Sequence, residues 1–320
     1  MNYCTYFDKN YLSRGLALYA SLLKNHKTNF HLYIIAFDQF TYKFLKKKNF
    51  KFITCVYATD FENKELQKVK KIRTPVEYLW TCTPSIIFFF IRKYKLSSCT
   101  YLDADIYFFS DPKIIYKNQF NYSVLITSHN YHPKYDQSKT SGKYCVQYLT
   151  FKSNRAGIQI LNYWKKQCIK WCYNRVEGNK FGDQKYLDSW PSKFTGVEVT
   201  SHLGAGVAPW NVKRFQIKIN KKKFISENNN NYQLIFYHFH DLKFFFNNSF
   251  AFLGSYDLSR EVINKIYMPY IKNIVEIEKK YKLNFDANHS KANPNFLNKL
   301  LFYIKLIIKF VIYYKNFKII

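Results

Sequence analysis

The chain has 320 residues, 48% of them hydrophobic and 20% aromatic, which suffices for a large core and excludes a disordered body. A formal charge of +29, from 50 basic and 21 acidic residues, invites a polyanion partner. The lysines are scattered, however, and no Arg-rich block, zinc spacing or RNA-binding aromatic signature accompanies them, so no specific nucleic-acid partner is expected and attraction to anionic lipid, nucleotide or phosphorylated carriers fits equally well.

In chain order, the first half alternates short apolar runs with helical stripes. Residues 2–7 read as a strand, and 12–24 as a helix with Leu12, Leu16, Tyr19, Ala20 and Leu23 on one stripe. A strand at 30–37, a short helix at 40–47 and a strand at 52–57 follow. Residues 61–71 and 83–94 are helical, the second opened by Thr83-Pro84, and the next strand ends at Asp103. Such alternation means βαβ units and a parallel sheet, which binds ligands beyond the carboxyl ends of its strands. Thr5 to Asp8 and Asp103 to Asp105 both fall at such ends, so one cleft between them is expected. Later come strands at 124–127 and 144–151, a polar loop at 128–142 and a helix at 155–173. A short helix spans 182–190 with Asp183 near its start, and 204–211 is a Gly/Pro loop. A strand at 233–237 runs into His238-Phe239-His240, and a helix follows at 260–281.

Asp103 and Asp105 interrupt an apolar, aromatic run from Thr100 to Phe109. On a strand, side chains at i and i+2 point the same way, so both carboxylates would aim at one spot. Bare carboxylates in apolar company are costly unless they meet cations or protons. Two oxygen ligands on one edge suit a hard divalent cation, Mn²⁺ or Mg²⁺. The competing reading is a turn whose Asp residues cap backbone groups.

Seven cysteines with no paired spacing read as buried thiols, including Cys168 and Cys172 on one helix face. No signal peptide precedes the first strand, which makes a reducing cytosol the expected compartment. The tail at 296–320 is apolar but studded with Lys299, Lys305, Lys309, Lys315 and Lys318, too charged for a spanning helix. At about 100° per residue Asn298, Lys305, Lys309 and Asn316 fall in one arc, so an amphipathic helix on an anionic membrane surface is expected. A C-terminal helix packed on its own domain is the competing reading.

With these pieces in order, residues 2–245 resemble nucleotide-sugar-dependent glycosyltransferases of the GT-A fold, nearest to the glycogenin and bacterial lipopolysaccharide galactosyltransferase group. Asp8-Lys9-Asn10-Tyr11, with Ser21-Leu22 on the following helix, is similar to the group's Asp-x-Asn-Tyr segment. Tyr101-Leu102-Asp103-Ala104-Asp105 resembles its Asp-x-Asp metal motif, and Asp183-Gln184 a paired Asp-Gln near the reacting sugar. His238 with Lys243 resembles the late histidine that completes the metal shell and the lysine that meets the diphosphate. Trp164-Lys165-Lys166, the run from Gly182 to Asp188 and Ala208-Pro209-Trp210-Asn211 resemble uncharacterised members. The chain departs from the pattern at three places. Cys145-Val146-Gln147 stands where the group has Asn-Ala-Gly, Asp241 replaces a Gly, and Lys243 comes one residue early. No counterpart appears for the basic residue on the helix before the metal motif.

The resemblance implies an α/β, Rossmann-like, mostly parallel sheet flanked by helices. It divides the chain into a GT-A domain at 1–255, a helical extension at 256–295 and the basic tail at 296–320. It implies a hexosyltransferase-type enzyme that moves a sugar from a nucleoside diphosphate donor, UDP-sugar favoured, to a glycan or lipid-linked acceptor in surface glycan synthesis. Thr5, Tyr6, Asp8, Asn10, Asp103, Ala104 and Lys243 would hold the donor. Asp103, Asp105 and either His238 or His240 would hold the metal, unless both histidines are structural. Gln184 and Asp183 would stand at the reacting sugar, with configuration retained. The expected location is cytoplasmic, on the inner face of the membrane. Two other classes remain beside it: a catalytically silent GT-A-like protein that binds polyanions or membrane through its tail, and a nucleotidyltransferase. The nucleotidyltransferase usually opens with a Gly-rich phosphate loop, and Phe7-Asp8-Lys9-Asn10 is not one.

Overall fold

A computed structural model of the chain describes residues 1–116, 122–219, 223–228, 230–244, 249–252, 256–283 and 317–319. The first half follows the alternation of its sequence. Strands β1 (Asn2–Phe7), β2 (His31–Ala36) and β3 (Ile53–Tyr57) are joined by helices α1 (Leu12–Asn25) and α2 (Gln39–Lys48). The polar interval 58–70 yields two short helices, α3 (Ala58–Phe61) and α4 (Lys64–Lys70), where one was expected. Asn63 separates them and accepts from the Leu66 amide at 2.9 Å, capping α4 as an Asn side chain does best.

Helix α5 spans Pro75–Lys93, starting one Thr-Pro pair earlier than expected. Thr74 and Glu77 bond each other's amides at 3.4 and 2.9 Å, a capping box with Pro75 behind it. Thr83-Pro84 has no acidic residue three positions on and lies inside the helix instead.

Strands β4 (Ser98–Leu102) and β5 (Ile106–Phe108) flank the two aspartates. Then come β6 (Val124–Ser128), β7 (Tyr144–Lys152), α6 (Arg155–Lys170), the one-turn α7 (Trp190–Lys193) and β8 (Val197–Val199). The loop expected at 204–211 contains a short strand, β9 (Ala205–Val207). A meander of β10 (Gln216–Ile219), β11 (Lys223–Glu227) and β12 (Asn230–Gln233) leads to β13 (Phe236–His238), β14 (Leu242–Phe244) and β15 (Ser249–Phe252). Helices α8 (Arg260–Val262) and α9 (Met268–Tyr281) run on through one π-helical stretch, as the single helix at 260–281 required.

The main sheet has the order β3-β2-β1-β4-β7-β6-β8, and β7 alone runs against the rest. Alternate residues face opposite layers. Tyr3, Leu32 and Ile34 join α1 and α9 in one core, while Cys4, Tyr33 and Ile35 join α5 and α6 in the other. The seven cysteines are free thiols, all but Cys55 buried. No helix among the described residues is long and apolar enough to cross a membrane. The expected amphipathic helix lies, over 296–316, outside the described residues. Where it was to end, Phe317–Ile319 form a strand, β16, paired with β15.

Candidate metal and donor site

Strand order reverses between β1 and β4, which are parallel neighbours, so a crevice opens beyond their carboxyl ends. Asp8 follows β1 and Asp103 follows β4, as expected. The aspartates themselves sit on a tight turn rather than on a strand: β4 stops at Leu102, and the Ile106 amide closes the turn on the Asp103 carbonyl at 3.3 Å. The turn does not use its carboxylates for capping. β5 leaves it and pairs antiparallel with β13, with His238 opposite Ile106. That register places His238 Nε2 3.2 Å from Asp105 Oδ1 and 3.8 Å from Asp103 Oδ2. One ligand atom from each of the three residues falls in a group no more than 4.8 Å across. Two hard oxygens and an imidazole suit Mg²⁺ or Mn²⁺, so these residues fit the divalent cation the sequence implied. His240 lies outside the cluster and pairs with Asp241 at 3.3 Å.

The charges support one another. Burial opposes ionisation of Asp105, but attraction and a hydrogen bond from His238 outweigh it and hold its carboxyl below the ordinary range. Burial likewise opposes the His238 cation, and Asp105 reverses that and raises it well above an ordinary histidine. Asp103 is raised, by burial first and by Asp105 as well.

The remaining predicted residues lie on β1, on the turn into α1, on the turn after β4, before α7 and on β14. Thr5 is fully buried on β1, and its Oγ1 has no hydrogen-bond partner among the described residues. Asp8 accepts from the Asn10 amide and from Asn10 Nδ2, each at 3.0 Å, which shapes the turn into α1. Tyr6 stacks on Tyr101 with ring centres 5.6 Å apart, and Tyr101 donates to Asp103 Oδ1 at 2.8 Å. Ala104 is buried at the tip of the turn. Asp183 is buried against the Thr83 hydroxyl, which also lies 3.1 Å from the Tyr6 hydroxyl. Burial, then the charge of Asp103, pushes the Asp183 carboxyl up to about 8. Gln184 Nε2 donates to the Ser141 carbonyl at 2.8 Å and so fastens the loop at 129–143 to this wall. Lys243 lies half-buried on β14 beside Asp241, whose carboxyl is held below its ordinary range by the hydrogen bond and charge of His240 first and by the charge of Lys243 after them. Asp241 adopts φ +60°, the left-handed conformation that glycine takes most readily and that Asp tolerates better than most residues.

Three contributors were given no role at this site by the sequence reading. Arg14 is buried on α1 between the Tyr11 and Phe244 rings and donates to the Leu242 carbonyl at 3.2 Å. Its charge stabilises the Asp105 carboxylate. Trp210 packs edge-on against both His238 and His240, with ring centres 5.3 and 5.6 Å away. Gln147 places Oε1 2.8 Å from His238 Nδ1, although the sequence marked it only as a departure.

Comparison with known proteins gives these features a context. Residues 28–189 match the family model described as nucleotide-diphospho-sugar transferase. Two proteins of Bacillus subtilis (strain 168), both named as uncharacterized, are similar along most of the chain. YfnD is 30% identical over 258 residues, covering 79% of this chain and 82% of its own. YfnF is 30% identical over 245 residues, covering 74% and 80%. Among solved structures, the galactosyltransferase LgtC in complex with donor and acceptor sugar analogs superimposes with a TM-score of 0.54 at 10% identity, covering 86% of this chain and 96% of that one. The bifunctional enzyme WbbM in its apo form gives 0.50 at 10% identity, covering 88% of this chain and 51% of the other. At such identities the likeness is one of fold.

Proposed function

The chain belongs to the nucleotide-diphospho-sugar transferase family with a GT-A fold, and from that premise we propose that it is a divalent-metal-dependent glycosyltransferase. It moves a hexose from a nucleoside diphosphate sugar, with UDP-sugars the first donors to try, to a hydroxyl on a glycan or lipid-linked acceptor. The observation that carries this reading is the convergence of Asp103, Asp105 and His238 at the switch point of the sheet. When bound, the cation neutralises the charge that grows on the departing diphosphate. Thr5, Tyr6, Asp8 and Asn10 flank the base and ribose side of the crevice, and Lys243 is assigned to the diphosphate. Asp183 and Gln184 stand on the wall assigned to the reacting sugar. Asp183 is buried beside Asp103 and lacks the exposure of a ready base, which favours retention of configuration with Gln184 at the sugar. The basic tail supports work on a surface glycan, such as lipopolysaccharide or capsule, at the inner face of a membrane.

The test is thermal stability with UDP, GDP, CMP and dTDP, each with and without Mn²⁺, on wild type and Asp103→Ala. A rise in Tm that needs one nucleotide, Mn²⁺ and Asp103 together is expected, and it names the base. No rise with any nucleotide would favour a catalytically silent protein.

A further inference from the structure

Gln147 is fully buried on β7, between the two parts of the chain that supply the carboxylates and the imidazole. Its backbone carbonyl accepts from the Asp103 amide at 3.0 Å. Its side-chain Oε1 faces His238 Nδ1 at 2.8 Å. An amide oxygen only accepts, so this contact requires the proton on Nδ1. The lone pair of the neutral ring then belongs to Nε2, the nitrogen that faces Asp105 and Asp103. In the metal-free protein the same Nε2 gives its proton to Asp105, so it is Nε2, not the Gln147-bound Nδ1, that is left to exchange a proton for a cation. A histidine that ligates a metal needs its other nitrogen held in this way.

The local packing leaves room for the arrangement. Gly206 has φ +95°, and a Cβ there would come to 2.8 Å from Gln147 Nε2. A larger residue at 206 would push the amide off its histidine. One residue thus touches both halves of the cluster, Asp103 through its backbone and His238 through its side chain.

We propose that Gln147 is the positioning residue of the metal centre: it fixes the His238 tautomer and ring so that Nε2 is ready for a divalent cation. This rests on the metal-dependent reading of the site given above. The sequence position that looked like a loss from the family pattern is then a support for the metal ligand.

Mn²⁺ binding measured by titration calorimetry on the full chain tests it, with wild type, Asp103→Ala, Gln147→Met and Gln147→Glu. Methionine keeps the length but removes the acceptor, and is expected to weaken Mn²⁺ about 10–100-fold. Ionised glutamate offers only acceptors and is expected to restore binding to within a few-fold of wild type, which a residue that merely fills space would not do. If Gln147→Met shows no melting transition, Gln147→Asn takes its place, because it draws the acceptor back along the same axis. Mn²⁺ that is bound by wild type, lost in Asp103→Ala and held equally well by Gln147→Met overturns the inference and leaves the metal reading intact. Equal losses in the Met and Glu variants overturn it too, by marking Gln147 as a packing residue. A wild type that binds no Mn²⁺ removes the metal reading and the inference with it.

Discussion

Asp105 and Asp183 are both acidic residues near Asp103, one on the turn after β4 and the other on the loop before α7, and the protein treats them in opposite ways. Burial works against the charge of each. Asp105 faces an imidazole at 3.2 Å and the field of Arg14, and its carboxyl is held below the ordinary range. At Asp183, burial and then the repulsion of Asp103 outweigh hydrogen bonds from the Thr83 hydroxyl and a backbone amide, and its carboxyl rises to about 8. The difference teaches that depth alone does not decide a buried acid's state. A cationic partner holds the charge, and a hydroxyl without one does not. Of the two aspartates beside Asp103, one is therefore held toward its anion and the other toward a neutral, hydrogen-bonding acid.

Substitutions can break or sharpen that contrast, and the largest effect is expected at Asp105. With the donor found by thermal shift, Asp105→Asn should slow transfer by ~10³-fold or more, about 4 kcal/mol of barrier. Activity within a few-fold of wild type would remove the cation from that wall. Asp183→Asn should act on stability, by about 1.4 kcal/mol for each unit of pKa shift. Because the folded-state pKa of Asp183 lies above the ordinary 3.8, wild type loses stability as pH rises from there to about 8. Asparagine does not titrate, so the variant's Tm advantage should be absent near the low end of that window, grow through it and level off above. A pH-independent difference would contradict a neutral Asp183.

Thr83→Val should cost about 1–2 kcal/mol in denaturant unfolding, because it leaves the Tyr6 hydroxyl and Asp183 without their shared partner. It should also move the Asp183 transition to higher pH, since the Thr83 hydrogen bond favours the ionised acid. The smallest effect belongs to His240→Ala. Mn²⁺ affinity should stay within a few-fold of wild type there and collapse in His238→Ala, as calorimetry can show. Equal losses would return His240 to the cation.

The scaffold was legible because its elements are local. Alternating apolar runs and stripes gave β1 to β4 within a residue or two, and alternation led to the parallel sheet and its carboxyl-end cleft. The miss at α5 was readable too: Thr74 has Glu77 three positions on, while Thr83 has Ile86. The metal cluster was legible as types but not as geometry. Whether His238 or His240 joined it depends on the pairing of β13 with β5, a long-range register that neither segment encodes alone. Gln147 was hidden for the same reason, since its value lies in a side chain reaching across to His238. Arg14 looked like an ordinary polar position on a surface helix, and only the packing of Tyr11, Phe244 and the Leu242 carbonyl around it shows otherwise.

The pairing of β5 with β13 also bears on how the protein can be divided. All strands of the main sheet lie before residue 200, and so do both aspartates and Gln147. A piece cut there would keep the main sheet and two of the three residues of the candidate cluster, yet it would lack the imidazole, which arrives on a strand outside that sheet. Scaffold and cation site are thus not coextensive modules. A chimera built from the N-terminal half of this chain alone would carry the two carboxylates without His238, and it regains the full cluster only if β13 travels with them.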